Sequence, residues 1–255
     1  MKTALAGWLL SCATAAAAGA PVDHAPFDAL LRAHVRAGLV DYDAFAGAPA
    51  FRAYLDRLAG ASLDGADEAE RLAFWLNAYN AWTIALVNAH GERASIRNIG
   101  RRPRADGTSG PWSEPFVRAA GRSLTLDEVE QRILRREFHE PRIHFALVCA
   151  ALGCPPLRPE AYAAERLEAQ LEDQATAFLT RTPEKNRVDS AARTLWVSPI
   201  LLWYRDDFGG SEQAIGRYLG RYWPDGPERG LLLSGRFVVR ETAYDWSLNI
   251  ARPGR

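Results

Sequence analysis

A helix-rich α+β fold in a single domain, with one buried central helix and a small, mostly antiparallel sheet, is predicted by three observations. Several capped stretches repeat apolar residues at helical spacing. One of them, residues 67–91, is apolar on every side, as a helix enclosed by the rest of the fold must be. Short β-branched and aromatic segments, bounded by Gly and Pro, lie scattered between the helices rather than alternating with them, which favours α+β over α/β.

The chain opens with "MKTALAGWLLSCATAAAAGAPVDHAPF". Lys2 supplies a positive start, Ala4 to Ala18 an apolar run, and small residues near Ala18 and Ala20 a cleavage point. Residues 1–20 therefore read as an export signal, and residues 21–255 as one globular domain in the periplasm or secreted. Cys12 in "LLSC" loosely resembles a lipoprotein processing site, against which stand Leu at the second position and the short hydrophobic lead. No later segment reaches the ~20 apolar residues of a transmembrane helix.

"FDALLRAHVRAG" aligns Phe27, Leu30, Leu31 and Val35 on one helical face and stops at Gly38. "PAFRAYLDRLAG" does the same with Phe51, Tyr54, Leu55 and Leu58. The central helix starts at a capping box of Asp67 and Glu70 and ends at Gly91, where a left-handed backbone is tolerated. Asn77 and Asn80 share a face inside it. Buried amides must be satisfied, so they either hold the backbone of a neighbouring loop or contact a ligand.

Residues 93–124 are long, rich in Gly and Pro and nearly without helical periodicity, a feature of functional or self-packed loops. Arg101, Arg102 and Arg104 beside Gly107 and Gly110 lack the GK[ST] ending of a phosphate loop and read as a solvated cluster. A second capping box, Thr125 with Glu128, starts a helix that ends before Pro141. "RIHFALVC" reads as a strand, residues 164–179 as a helix through Leu167, Leu171, Ala175 and Phe178, and Val197 as a strand end leading to Ser198 and Pro199 at a helix start. "RFVVRETAYDWSLN" alternates as a terminal strand.

Basic and acidic residues balance at 31 each, and 48% of the chain is hydrophobic against 24% charged. This is a globular composition without a general electrostatic grip on nucleic acid. No cofactor motif is present. The histidines and cysteines match no zinc spacing, and the serine-hydrolase elbow is missing.

The chemistry concentrates in "RIHFALVCAALGCPPLRPE". Three readings stay open: a Cys149–Cys154 disulfide, suited to an exported protein; a Cys149 nucleophile with His144 as base or orienting group, acting on an amide or ester; and plain core. Against the second, all five histidines precede Cys149, the reverse of the order in papain-like enzymes. His144 and Cys149 are also at an odd spacing, which on a continuous strand puts them on opposite faces. Asp206, Asp207 and Asp245 lie beside Trp203, Tyr204, Phe208, Tyr244 and Trp246, a composition suited to an aromatic-walled cleft with one acid for a sugar or peptide.

Taken in order, "FWLNAYNAWTIALV", "RIHFALVCAALGCPPL", "SPILLWYRDDFG" and "YDWSLN", with "LVDYDAF" and "LTLDEVEQRILR", closely resemble the domain-of-unknown-function 547 family across most of the chain. The resemblance implies an exported protein of no established activity. It also implies that its motif positions converge, among them Asn77, Tyr79, Asn80, His144, Cys149, Cys154, Pro155, Trp203, Asp207, Phe208, Tyr244, Asp245 and Trp246. The expectation is a binding or interaction module for a small molecule, peptide or envelope protein. Its ligand-contact candidates are Asn77, Asn80, Asp207, Tyr244 and Asp245, and the alternative is a hydrolase or acyltransferase using Cys149 and His144.

Overall fold

A computed structural model describes residues 22–251. The export segment and Cys12 lie outside the described residues. Helices dominate, and three small sheets stand apart from one another: the hairpins β1–β2 (Val35–Arg36, Leu39–Val40) and β3–β4 (Val117–Ala119, Arg122–Leu124), and a three-stranded sheet of β5 (Arg187–Asp189), β6 (Thr194–Val197) and β7 (Val238–Glu241). All pairings between these strands are antiparallel except β6–β7, which is parallel.

Helix α1 (Ala25–His34) ends before Val35, short of the sequence reading. Val35 is buried, but on β1. The chain turns through Ala37 and Gly38, both at positive φ, into β2. That conformation suits a two-residue hairpin whose twist matches its strands. A side chain on Gly38 would also meet Pro156 Cβ at 2.6 Å, so the glycine makes a turn and a close approach rather than a helix stop. Helix α2 (Tyr42–Gly47) is capped by Asp41, and α3 (Pro49–Ala59) buries Phe51, Tyr54 and Leu58. Phe27 of α1 stacks on Tyr54 at 5.0 Å between ring centroids.

Helix α4 (Glu68–Ala89) is the central element. Its N-terminus closes with both halves of the predicted capping box: the Asp67 side chain accepts from Glu70 N–H, and Glu70 accepts from Asp67 N–H, each at 2.8 Å. Gly91 leaves the helix in the left-handed region. Every residue from Leu72 to Ala81 is buried, and each large apolar side chain so placed contributes about 1.5–3 kcal/mol.

The Thr125–Glu128 box also forms, at 3.0 Å in both directions. The helix it starts is not an α-helix throughout. Glu128–Leu134 is π-helical, continuing into α5 (Arg135–Glu137). The segment read as a strand, "RIHFALVC", instead holds the short helix α6 (Ile143–Ala146) and then runs extended from Leu147. Asn80 is the reason. Its amide donates to Ala146 O at 3.0 Å and accepts from Val148 N–H at 2.9 Å, occupying backbone groups that a strand would offer to a neighbour.

Helix α7 (Leu167–Thr180) comes next, and β6 leads into α8 (Pro199–Trp203) with Ser198 as N-cap and Pro199 first, as the sequence predicts. Helices α9 (Glu212–Gly220) and α10 (Pro227–Ser234) precede β7. The predicted terminal strand is real only over Val238–Glu241. Beyond it the chain leaves the sheet and threads back through the molecule, with Gly153 N–H donating to Asp245 O, Leu152 N–H to Ser247 O, Leu248 N–H to Ala94 O and Val40 N–H to Asn249 O. One core cluster surrounds α4, and a second joins Phe145, α7, β6 and α9. Tyr244, on the returning segment, touches both.

Among the described residues no helix is long and apolar enough to cross a membrane.

Candidate functional site

The two core clusters leave between them a cavity of about 210 Å³. It lies below the roughly 300–1,000 Å³ of pockets that enclose drug-sized ligands, so it suits a small molecule or one end of a longer one. Its walls are aromatic. Trp112, Trp203, Tyr204, Tyr244 and Trp246 line it together with Tyr79, His144, the two cysteines and the acids Asp127 and Glu130. Trp203 stacks on Trp246 at 6.0 Å, and Tyr244 lies 4.9 Å from Trp203 and 4.5 Å from Trp246. Trp203 is 51% exposed. An indole this open at a cavity mouth is available to a ligand.

Cys149 and Cys154 form a disulfide, with Cα atoms 6.1 Å apart. Their reading as a bridge is met, and the Cys149 sulfur in this state is not a thiolate. The Tyr244 hydroxyl sits 3.2 Å from each sulfur. Behind the bridge, Lys185 Nζ donates to Cys154 O at 2.5 Å. Gly153 has Tyr244 against it: a Cβ there would lie 2.8 Å from the ring. The bridge, Gly153 and Tyr244 thus form one packed unit at the cavity floor.

His144 is buried, and its ring stacks on Tyr204 with centroids 3.9 Å apart. The turn from α6 into the extended Leu147–Cys149 segment removes the geometry of opposite strand faces, and His144 and Cys149 line the same cavity. His144 Nε2 meets Asp207 Oδ2 at 2.6 Å. Arg135, one residue past the π-helical segment, grips both Asp207 oxygens, at 2.7 and 2.8 Å. Burial alone would raise the Asp207 pKa, but hydrogen bonds from His144 and Arg135 outweigh it and hold the carboxyl well below the usual carboxylate range. The acceptor is therefore an ionised carboxylate, and His144 Nε2–H donates to it. His144 Nδ1 is buried without a protein hydrogen-bond partner.

Glu130 is the acid inside the cavity. It is 7% exposed, and the Tyr79 hydroxyl donates to its Oε2 at 3.3 Å. Burial pushes its pKa up, and hydrogen bonds from Tyr204 and Tyr79 together with the nearby His144 only partly offset that. Asp127, at the mouth, is also raised by burial of its carboxyl. The phenols of Tyr79, Tyr204 and Tyr244 are pushed far above their usual range, first by burial and then by Glu130, so they act as neutral donors.

The other predicted ligand contacts fall elsewhere. Asn77 is buried and binds the backbone of Tyr162 twice, through Nδ2 to O at 2.8 Å and through Oδ1 to N–H at 2.9 Å. Asn80 binds the backbone of Ala146 and Val148. Both amides hold loops, the first of the two roles open to them. Asp245 is exposed, caps Ser247 N–H through its side chain and lines a neighbouring cavity behind the disulfide. Asp207 reaches the cavity only through His144. Of the five ligand-contact candidates, Tyr244 alone lines it.

Sequence reasoning missed Glu130, and the signal was present. Leu126, Glu130, Ile133 and Leu134 share one helical stripe by spacing, so the glutamate sits on a buried face. Arg135 and Asp127 carried no such mark. Among the described residues no group of three His, Cys, Asp or Glu side chains is placed to hold a metal.

Residues 63–179 match the family model described as protein of unknown function, DUF547, which supports assigning the chain to that family. The matched region contains α4, Glu130, His144 and both bridged cysteines. No curated protein and no solved structure matches the chain.

Proposed function

We propose that this chain is an exported binding domain of the cell envelope whose aromatic-walled cavity takes a small ligand or one end of a larger one. The observation that carries the proposal is Glu130, a buried acid lining a cavity roofed by an open tryptophan. Burying a carboxyl away from a strong partner costs stability, and such costs are retained most often at functional sites. The π-helical segment that presents it supports the same reading, since such segments recur at functional positions. Export is supported by the character of residues 1–20 and by the disulfide, which persists in oxidising compartments.

Three tryptophans line the cavity, so intrinsic fluorescence reports occupancy. Titration with small saccharides, dipeptides and amines is expected to give a saturable change with at least one class. Trp203→Ala should abolish it while leaving the far-UV spectrum and Tm unchanged. A response that survives Trp203→Ala undiminished places binding outside this cavity and rejects the proposal.

A hydrolase or acyltransferase with Cys149 as nucleophile is the second reading. Its support is that His144, hydrogen-bonded to Asp207, lines the same cavity as Cys149. It requires the reduced protein, because a bridged sulfur supplies no thiolate. Thiol titration of the native protein separates the two. No reactive thiol supports the binding domain, whereas a reactive Cys149 whose rate falls in His144→Ala supports the enzyme.

A further inference from the structure

We propose that the cavity's ligand is a small organic cation, an alkylated ammonium group held against Glu130 and lying on the aromatic wall formed by Trp203, Tyr244 and Trp246. This inference rests on the binding-domain function and adds the charge and chemical class of the ligand.

The charge inventory points to a cation. Glu130 and Asp127 line the cavity, and among the described residues no lysine or arginine does. Two nearby cations are committed elsewhere. Arg135 is bound by both oxygens of Asp207. Lys185 is turned to Cys154 O on the far side of the bridge, facing a different cavity. Glu130 receives the Tyr79 hydroxyl, and the one basic side chain lining the cavity with it, His144, is paired with Asp207 at 2.6 Å. An anionic ligand would meet an acid it cannot pair with. A cation would supply the missing countercharge.

The walls fit the same class. Indole and phenol faces carry negative electrostatic potential and attract cations within about 6 Å, most strongly where water is excluded. Trp203, Tyr244 and Trp246 pack on one another with centroids 4.5 to 6.0 Å apart, forming one contiguous aromatic wall of the cavity. Trp246 already holds one cation outside the cavity lining, the Arg97 guanidinium 5.0 Å from its ring. A primary ammonium sheds hydration reluctantly on entering such a site, whereas an alkylated one presents methyl groups to the rings and keeps its charge, so the aromatic walls favour alkylation.

The test is calorimetric titration of the full folded chain with choline and, separately, with 3,3-dimethyl-1-butanol, which has the same shape without the charge. Choline is expected to bind at least about tenfold more tightly than the neutral isostere. Glu130→Gln should remove most of that preference with Tm unchanged or raised. Because Glu130 is buried, Trp203→Ala at the exposed rim is the second variant, and it should weaken choline binding without affecting the fold. Equal binding of choline and its isostere, or a choline affinity untouched by Glu130→Gln, overturns the cationic class. Absence of choline binding together with a Trp203-dependent response to a saccharide also overturns it, while leaving the binding cavity standing. Absence of any Trp203-dependent response defeats both.

Discussion

His144 Nε2 and Asp207 Oδ2 are 2.6 Å apart, and the same carboxylate is clamped by Arg135. One acid thereby joins α6, the turn after α8 and the start of α5. Since Asp207 titrates lower in the folded than in the unfolded protein, its contribution is present above the unfolded carboxyl pKa and is lost as pH falls through the folded value. Asp207→Asn should flatten the acid limb of the stability curve and lower stability at neutral pH. Urea denaturation from pH 7 down to pH 2 measures this. An unchanged acid slope would show that the clamp contributes nothing to folding.

Glu130 predicts the opposite sign. Its folded pKa is raised, so the folded protein holds a proton that the unfolded chain releases, and stability declines as pH rises from the unfolded to the folded value. Glu130→Gln keeps the shape and removes the titration. The variant should match wild type at low pH and exceed it near neutrality, as read by Tm across pH 4 to 8.

Asn80 ties α4 to the backbone on both sides of Leu147, the approach to the cavity floor. Asn80→Ala leaves a buried carbonyl and a buried N–H unpaired, at about 1–3 kcal/mol for each. Chemical denaturation should show a loss of about 2–6 kcal/mol. A loss below about 1 kcal/mol would mean that the loop holds itself.

The disulfide closes a short loop, for which chain entropy alone gives about 2 kcal/mol. The double variant Cys149→Ser, Cys154→Ser should remain folded with a lowered Tm. Its larger effect is expected on the cavity, because Tyr244 rests against both sulfurs. Tryptophan fluorescence of the empty protein should shift more in this variant than in a control of equal Tm.

Gly153→Ala tests the same unit without touching the bridge. The new methyl would meet the Tyr244 ring at 2.8 Å, and overpacking of this kind costs about 1–3 kcal/mol. Binding read by Trp203 should weaken with it. A variant as stable and as responsive as wild type would show that Tyr244 moves freely.

Local chemistry was legible wherever it is settled by neighbours in sequence. Both capping boxes, the glycine after α4, the Ser198–Pro199 helix start and the all-round apolar surface of α4 depend on spacings of a few residues, and each formed. The bridge was one of the open readings because its residues are close in the chain. Where the expectation differed, a distant group intervened. "RIHFALVC" has the composition of a strand, but Asn80 takes its backbone groups. "RFVVRETAYDWSLN" alternates to its end, yet only its first part finds a strand partner, and the rest pairs with segments near positions 40, 94 and 150–153.

By itself the sequence determined the helix-rich α+β class, the identity of the central helix and the aromatic and acidic residue types available for a site, because hydrophobic periodicity and capping act within a few turns. Only the tertiary structure decided which acid faces the aromatics. Asp206, Asp207 and Asp245 adjoin them in the chain, but Glu130, from a helix far away in sequence, lies among them. That choice depends on which side chains long-range packing brings into one desolvated space, a quantity no local spacing encodes.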